Sequence, residues 1–163
     1  MAARVRRIAL LVAATLSLSP VGLGPRAAPA AAHGDRDQFV MDGFNGLRSE
    51  AGLGWVGGDA CLQAAAQARA VDMVARRYFG HVTPDGATFT DVLNYYGCGW
   101  YAAGEIIERN NYPADQALWV ALRDFRASPA HYRIITGGYN VAGAYVADGP
   151  DGMTYTVGLF VLR

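Results

Sequence analysis

Tyr139-Asn140-Val141-Ala142-Gly143-Ala144-Tyr145-Val146-Ala147 and Met153-Thr154-Tyr155-Thr156-Val157-Gly158-Leu159-Phe160-Val161-Leu162 are two β-rich runs. Between them stands Asp148-Gly149-Pro150-Asp151-Gly152, a run of turn formers. Two such runs about one turn predict an antiparallel hairpin. The chain upstream reads mostly at helical period. Helices first and a terminal hairpin last argue for an α+β layered domain. No internal repeat is present, and no low-complexity tract lies outside the N-terminal region.

Working outward, the spacing of Phe39, Val40, Phe44 and Leu47 predicts a first helix over 35–51, ended by Gly52-Leu53-Gly54. Asp59 is the expected N-cap of a second helix over 60–77. Leu62, Ala66, Ala70, Met73 and Val74 make its buried stripe, and Arg69, Asp72 and Arg76 are assigned to its wet face. Thr88 or Thr90 caps a short third helix with Phe89, Val92 and Leu93 inward, broken by Gly97-Cys98-Gly99-Trp100. A strand follows over 103–109, with Ile106 and Ile107 buried. Pro113 opens a fourth helix that runs to about Arg126 and carries Ala117, Leu118, Ala121, Leu122 and Phe125 inward. Ser128-Pro129 stops it, and Tyr132 to Thr136 adds one helical turn.

The N-terminus is of another kind. Arg4, Arg6 and Arg7 precede an apolar run from Ile8 to Leu18, and small residues lead to His33. That order reads as a secretory signal peptide over 1–32, with a cut after Ala32 favoured over one after Ala30, and a domain over 33–163. The apolar run is too short to span a bilayer, so no stable membrane span is expected after cleavage; an uncleaved anchor is the alternative. Arg6-Arg7 raises the twin-arginine route. The expected mature domain is secreted and of a size for one compact core. It holds ten arginines, no lysine and fourteen acids. A mildly acidic domain without basic clusters is a poor binder of nucleic acid or anionic lipid. Cys61 and Cys98 are the only cysteines, and outside the cytosol such a pair is expected as a disulfide. A nucleophilic cysteine with His131 as base is the disfavoured alternative, since pairing would block it.

The chemistry-bearing residues lie between Phe79 and His131. His81 precedes Thr83-Pro84-Asp85-Gly86 in a loop, Glu105 lies in the predicted strand, and His131 follows Ser128-Pro129. Each has a structural alternative: a turn histidine, a carboxylate salt-bridged to an arginine, and an imidazolium at a helix C-terminus. Glu108 and Asp124 are further acids, each also readable as a solvated charge. No His-x-x-x-His, Cys-x-x-Cys or Gly-x-Ser-x-Gly pattern is present, and Ser49 and Ser128 are the only serines after residue 32.

In order, these motifs resemble a known family. Phe44-Asn45-Gly46-Leu47-Arg48 with Gly52-Leu53, Ala65-Ala66-Gln67-Ala68-Arg69, Tyr78-Phe79-Gly80-His81 with Pro84-Asp85-Gly86, Gly104-Glu105, and Phe125 with Ser128-Pro129 and His131 are similar to the bacterial branch of the CAP superfamily. That group takes in cysteine-rich secretory, antigen-5 and pathogenesis-related proteins (the SCP domain). Each motif alone is weak; five in order are specific. The resemblance implies a three-layer α-β-α sandwich with a small central antiparallel sheet and a cleft lined by histidines and acids. His81, Glu105 and His131 fall on the family's two histidines and first acid; Asp124 is the candidate for its second. Ile106 stands where the family usually has Asn, and Tyr132 and Ile134 stand where it has Arg and Asn. Those amides would have braced the cleft.

Together these readings predict an exported CAP-domain binding or interaction module, expected to be monomeric. Its cleft would take zinc or another divalent cation through His81, Glu105 and His131, and its partner would be an extracytoplasmic ligand such as an envelope component, peptide or lipid. One rival is a hydrolase of envelope polymer or peptide in which Glu105 as general base, or an imidazole, activates water alone or on a metal. Another is a lipid or sterol carrier lined by Tyr95, Tyr96, Trp100 and Tyr101, residues that read more readily as core packing and loop anchors.

Overall fold

The computed structural model describes residues 30–163, with side chains from Gly34 onward. The expected signal segment therefore lies outside the described residues except for its last three positions. Five helices and four strands follow in order: α1 (Ala30–Glu50), β1 (Gly57–Gly58), α2 (Ala60–Arg76), α3 (Phe89–Tyr96), β2 (Ala102–Asn110), α4 (Ala114–Ala127), α5 (Pro129–Ile135), β3 (Val141–Asp148) and β4 (Thr154–Leu162).

The terminal hairpin forms as read, with β3 antiparallel to β4 and Val146 opposite Thr156. β2 pairs with the other side of β4, also antiparallel, which gives the sheet order β1-β3-β4-β2. Only the two-residue β1 runs parallel, beside β3. A pairing that short has no period to read in a sequence.

Helices cover both faces of this sheet, so β4 is buried along nearly all its length. Alternation along the strands sorts residues to the two faces. Ile106, Ala142, Ala144, Val146 and Phe160 pack with Val40, Phe44, Leu118 and Phe125 of α1 and α4. Ile107, Val157, Leu159 and Val161 pack with Leu62, Ala66, Ala70 and Met73 of α2 and Leu93 of α3. The result is the α-β-α sandwich that the resemblance implied.

Two glycines make the layers fit. A Cβ on Gly143 would collide with the Leu62 and Gln63 backbone, so its absence lets α2 lie directly on β3. A Cβ on Gly158 would meet the Phe44 ring at 2.8 Å, where that ring packs against Phe160 at 5.1 Å. Asp59 caps α2 as expected, accepting from Leu62 N at 2.9 Å. Cys61 and Cys98 form the expected disulfide, tying the start of α2 to the end of α3.

Arg48, near the end of α1, is buried and bonded only to main-chain oxygens. It donates to Gly54 O, Ile135 O and Gly137 O at 2.8 Å and to Tyr139 O at 3.3 Å. Burial holds its pKa below the usual guanidinium value. This side chain clamps the chain that leaves α5 against the end of α1.

Candidate functional site

Glu105 lies on the α2 face of β2, and its side chain is fully buried (0% exposed). A buried carboxylate requires a cation or a proton. Arg69 of α2, 1% exposed, supplies the cation: Nε donates to Glu105 Oε2 at 2.8 Å and Nη2 to Oε1 at 3.3 Å. This corrects the assignment of Arg69 to the wet face of the second helix. Arg69 lies three residues after Ala66 and four before Met73, on the apolar stripe itself. That placement, beside a strand acid in need of a partner, was the available signal.

Arg69 reaches further. Nη2 donates to Gly80 O at 2.8 Å and Nη1 to Tyr78 Oη at 2.9 Å, and Tyr78 Oη donates to Asp72 Oδ2 at 2.6 Å. Burial first, then the bond to Asp72, pushes the Tyr78 phenol up to about 12. It therefore stays neutral, donating to one neighbour and accepting from the other. Through Gly80, Arg69 also anchors the loop that carries His81. Thr83 N donates to Ala87 O at 2.8 Å and closes the turn of that loop.

His81 Nδ1 lies 2.8 Å from Glu105 Oε1, with the histidine side chain 52% exposed. Glu105 can only accept in its Arg69 bridge, so the hydrogen-bond network assigns a proton to Nδ1 and makes Nε2 the ring nitrogen that a ligand can meet. Asp72, Tyr78, Arg69, Glu105 and His81 form one continuous chain of bonds from the α2 surface to an exposed imidazole.

His131 comes from the other side of the sheet. The expectation placed it at the C-terminal end of the fourth helix; it sits in the first turn of α5 instead. Ser128 adopts an extended conformation that ends α4, and its Oγ accepts from His131 N at 3.5 Å to start the next helix. The ring stands edge-on to Phe125 at 5.2 Å. Its pKa lies below the ordinary histidine value, first through burial and second through the charge of His81. The two imidazoles are therefore electrostatic neighbours. Gly104 lets α5 pack closely on β2, because a Cβ there would stand 2.8 Å from Ile134 Cγ2 of α5 and 2.9 Å from Tyr139 Oη.

Asp124 is not part of this group. It bonds Arg123 at 2.8 Å, and its charge acts on Glu108. Among the described residues no set of three or more His, Cys, Asp or Glu side chains is arranged to hold a metal ion. Both Glu105 oxygens are already engaged by Arg69 and His81. The available donors for a cation are thus the two imidazoles, with Glu105 behind one of them.

The aromatic residues considered as core packing stand largely at the surface. Tyr95 and Tyr101 are the most exposed, and Trp100 is tied down through Nε1 donating to Asn94 Oδ1 at 3.2 Å. Beside them, a cleft of about 370 Å³ between α2 and α3 is lined by Ala68, Val92, Tyr95 and Tyr96 among others.

Residues 41–160 match CAP, the cysteine-rich secretory protein family. The chain belongs to that family. Among solved structures, this CAP domain is similar to an extracellular SCP-domain protein from Bacillus anthracis, with TM-score 0.71 and 23% identity over 80% of this chain and 41% of that one. It is similar to an outer surface protein of Borrelia burgdorferi, with TM-score 0.69 and 20% identity over 77% of this chain and 91% of that one. A cysteine-rich secretory protein from Staphylococcus aureus aligns with TM-score 0.67 and 13% identity over 85% of this chain and 42% of that one. The chain thus spans about two fifths of the Bacillus and Staphylococcus proteins, and these likenesses establish the fold. No curated protein matches it. No helix among the described residues is long and apolar enough to cross a membrane.

Proposed function

We propose that this CAP domain is an exported binding module that meets its ligand at His81 and His131, with Glu105 orienting His81. The observation that carries the reading is the 2.8 Å bond from His81 Nδ1 to Glu105 Oε1, braced by buried Arg69. A carboxylate behind an imidazole fixes its tautomer and strengthens the opposite nitrogen as a donor. His131, held toward the neutral form by burial, offers a second lone pair. Two neutral imidazoles suit a borderline divalent cation such as zinc. Such a pair would leave coordination positions for a donor group on an envelope component or peptide. The bound cation would supply the Lewis acidity for holding that group.

Glu105 is poorly placed as the base of the hydrolytic reading, because its side chain is sealed from solvent and bridged to Arg69, which leaves an imidazole to activate water. The carrier reading keeps one observation in its favour, the aromatic-edged cleft between α2 and α3. Mass spectrometry of organic extracts from the purified protein tests it: bound lipid would support the carrier, and none would dismiss it.

Zinc titration by calorimetry tests the main reading. One equivalent should bind the wild-type protein, neither His81→Ala nor His131→Ala should retain that heat, and Glu105→Gln should bind about 10–100-fold more weakly. Equal heats from wild type and the double histidine variant would refute it. Export is tested by N-terminal sequencing of protein from the culture medium. A start at His33 is expected; full-length chain confined to the cytosol would overturn it.

A further inference from the structure

Glu108 has no part in the site above, and its surroundings are unusual. It lies on β2 three residues after Glu105, but on the opposite face, buried against α4. Asn110 Nδ2 donates to both its oxygens, at 3.2 and 3.0 Å, and also to Ala117 O of α4 at 3.0 Å. Asn110 Oδ1 accepts from Tyr112 N at 3.1 Å. One amide thus joins the acid, the strand end and the helix.

Among the described residues, no cation bonds this carboxyl in the way Arg69 bonds Glu105. From α4, Asp124 faces it with a like charge; Arg123 opposes that effect but is exposed and paired to Asp124 at 2.8 Å. From β4, the residue in register across the strand pair is Thr156, which shares the same face of the sheet. Thr156 Oγ1 is the one buried side-chain oxygen or nitrogen among the described residues with no hydrogen-bond partner. On α1 the buried acid is Asp37, bonded to Val146 N two strands further across. Buried in the seam with only an amide bonded to it, the carboxyl is favoured neutral over a carboxylate beside Asp124.

We propose that Glu108 is a proton-operated latch on the seam between β2 and α4. Protonated, it holds α4 against the sheet; ionised, it loosens α4 together with α5. Because α5 carries His131 and β2 carries Glu105, release of the latch moves the two imidazoles relative to each other. That consequence rests on the binding site proposed above, whereas the latch itself does not.

Supporting the geometry, the carboxyl is raised to about 7, first by burial and then by Asp124, against the pull of Asn110 and Arg123. A raised acid stabilises the fold fully below its unfolded value of 4.5. That stability is lost as the pH rises through about 7. His131 acts in the opposite sense, because its lowered pKa costs stability as the pH falls below 6.5. Comparing variants at Glu108 isolates the first effect from the second.

The experiment is unfolding and amide hydrogen exchange of the full chain across this pH range, on wild type, Glu108→Gln and Asp124→Asn, with no metal added. For wild type, protection in residues 114–135, corrected for intrinsic exchange, should fall at least about ten-fold between about pH 5 and pH 8. Glu108→Gln should abolish that fall, and Asp124→Asn should move its midpoint to lower pH. An unchanged pH response in Glu108→Gln would overturn the latch. If that variant does not fold, an unmoved midpoint in Asp124→Asn overturns it instead. Zinc binding does not enter either readout, so failure of the cleft reading would be seen separately.

Discussion

Glu105 and Glu108 stand three residues apart on one strand and face opposite layers of the sandwich. Glu105 lies 2.8 Å from the Arg69 guanidinium under α2; Glu108 is bonded to an amide under α4, with Asp124 as its charged neighbour. Both are buried, yet only one is matched by a cation. That difference decides which can stay ionised at low cost and orient an imidazole, and which answers to pH.

Arg69→Met should destabilise the domain by about 3–5 kcal/mol, because it strands a buried carboxylate. The double variant Arg69→Met/Glu105→Leu should recover much of that loss. Chemical denaturation of the three proteins checks this, and a double variant no better than the single would contradict the pairing.

The two imidazoles should titrate as neighbours. His131 should titrate below the usual histidine value, and His81→Ala should raise it by removing the opposing charge. NMR titration of the ring resonances reads this directly. An unmoved His131 in that variant would separate the rings.

Removing the Cys61–Cys98 bridge opens a 37-residue separation. The chain-entropy relation puts the loss at about 3–4 kcal/mol. Urea unfolding of Cys61→Ser/Cys98→Ser, or of wild type under reductant, measures it.

Arg48→Met keeps the bulk of the side chain but leaves the oxygens of Gly54, Ile135, Gly137 and Tyr139 without their shared donor. A loss of about 2–4 kcal/mol is expected. The exchange rates of α5 amides should rise more than those of α2, since the clamp acts on the chain that leaves α5.

Gly143→Ala should cost at least about 1–3 kcal/mol, because the added methyl meets main chain of α2 rather than a side chain that can turn away. Thermal unfolding would show it, and a neutral result would mean that α2 is free to shift outward.

Local order along the chain was enough for much of this molecule. The β-rich last runs about one turn, the Asp59 cap, the helix breaks at Gly97 and Ser128, and the cysteine pair all act through neighbours in sequence or through a single covalent link. The motif order around His81, Glu105 and His131 was legible for the same reason: each is marked by its own turn or glycine. What joined them was decided across the layers. Arg69 looked like a surface charge on a helix until the sheet brought Glu105 beneath it, and Ser128 looked like a stop until its hydroxyl began α5. Glu108 looked like a solvated acid until α4 closed over it. Charge and burial depend on what packs opposite, and in a three-layer sandwich the opposing residue comes from a distant part of the chain.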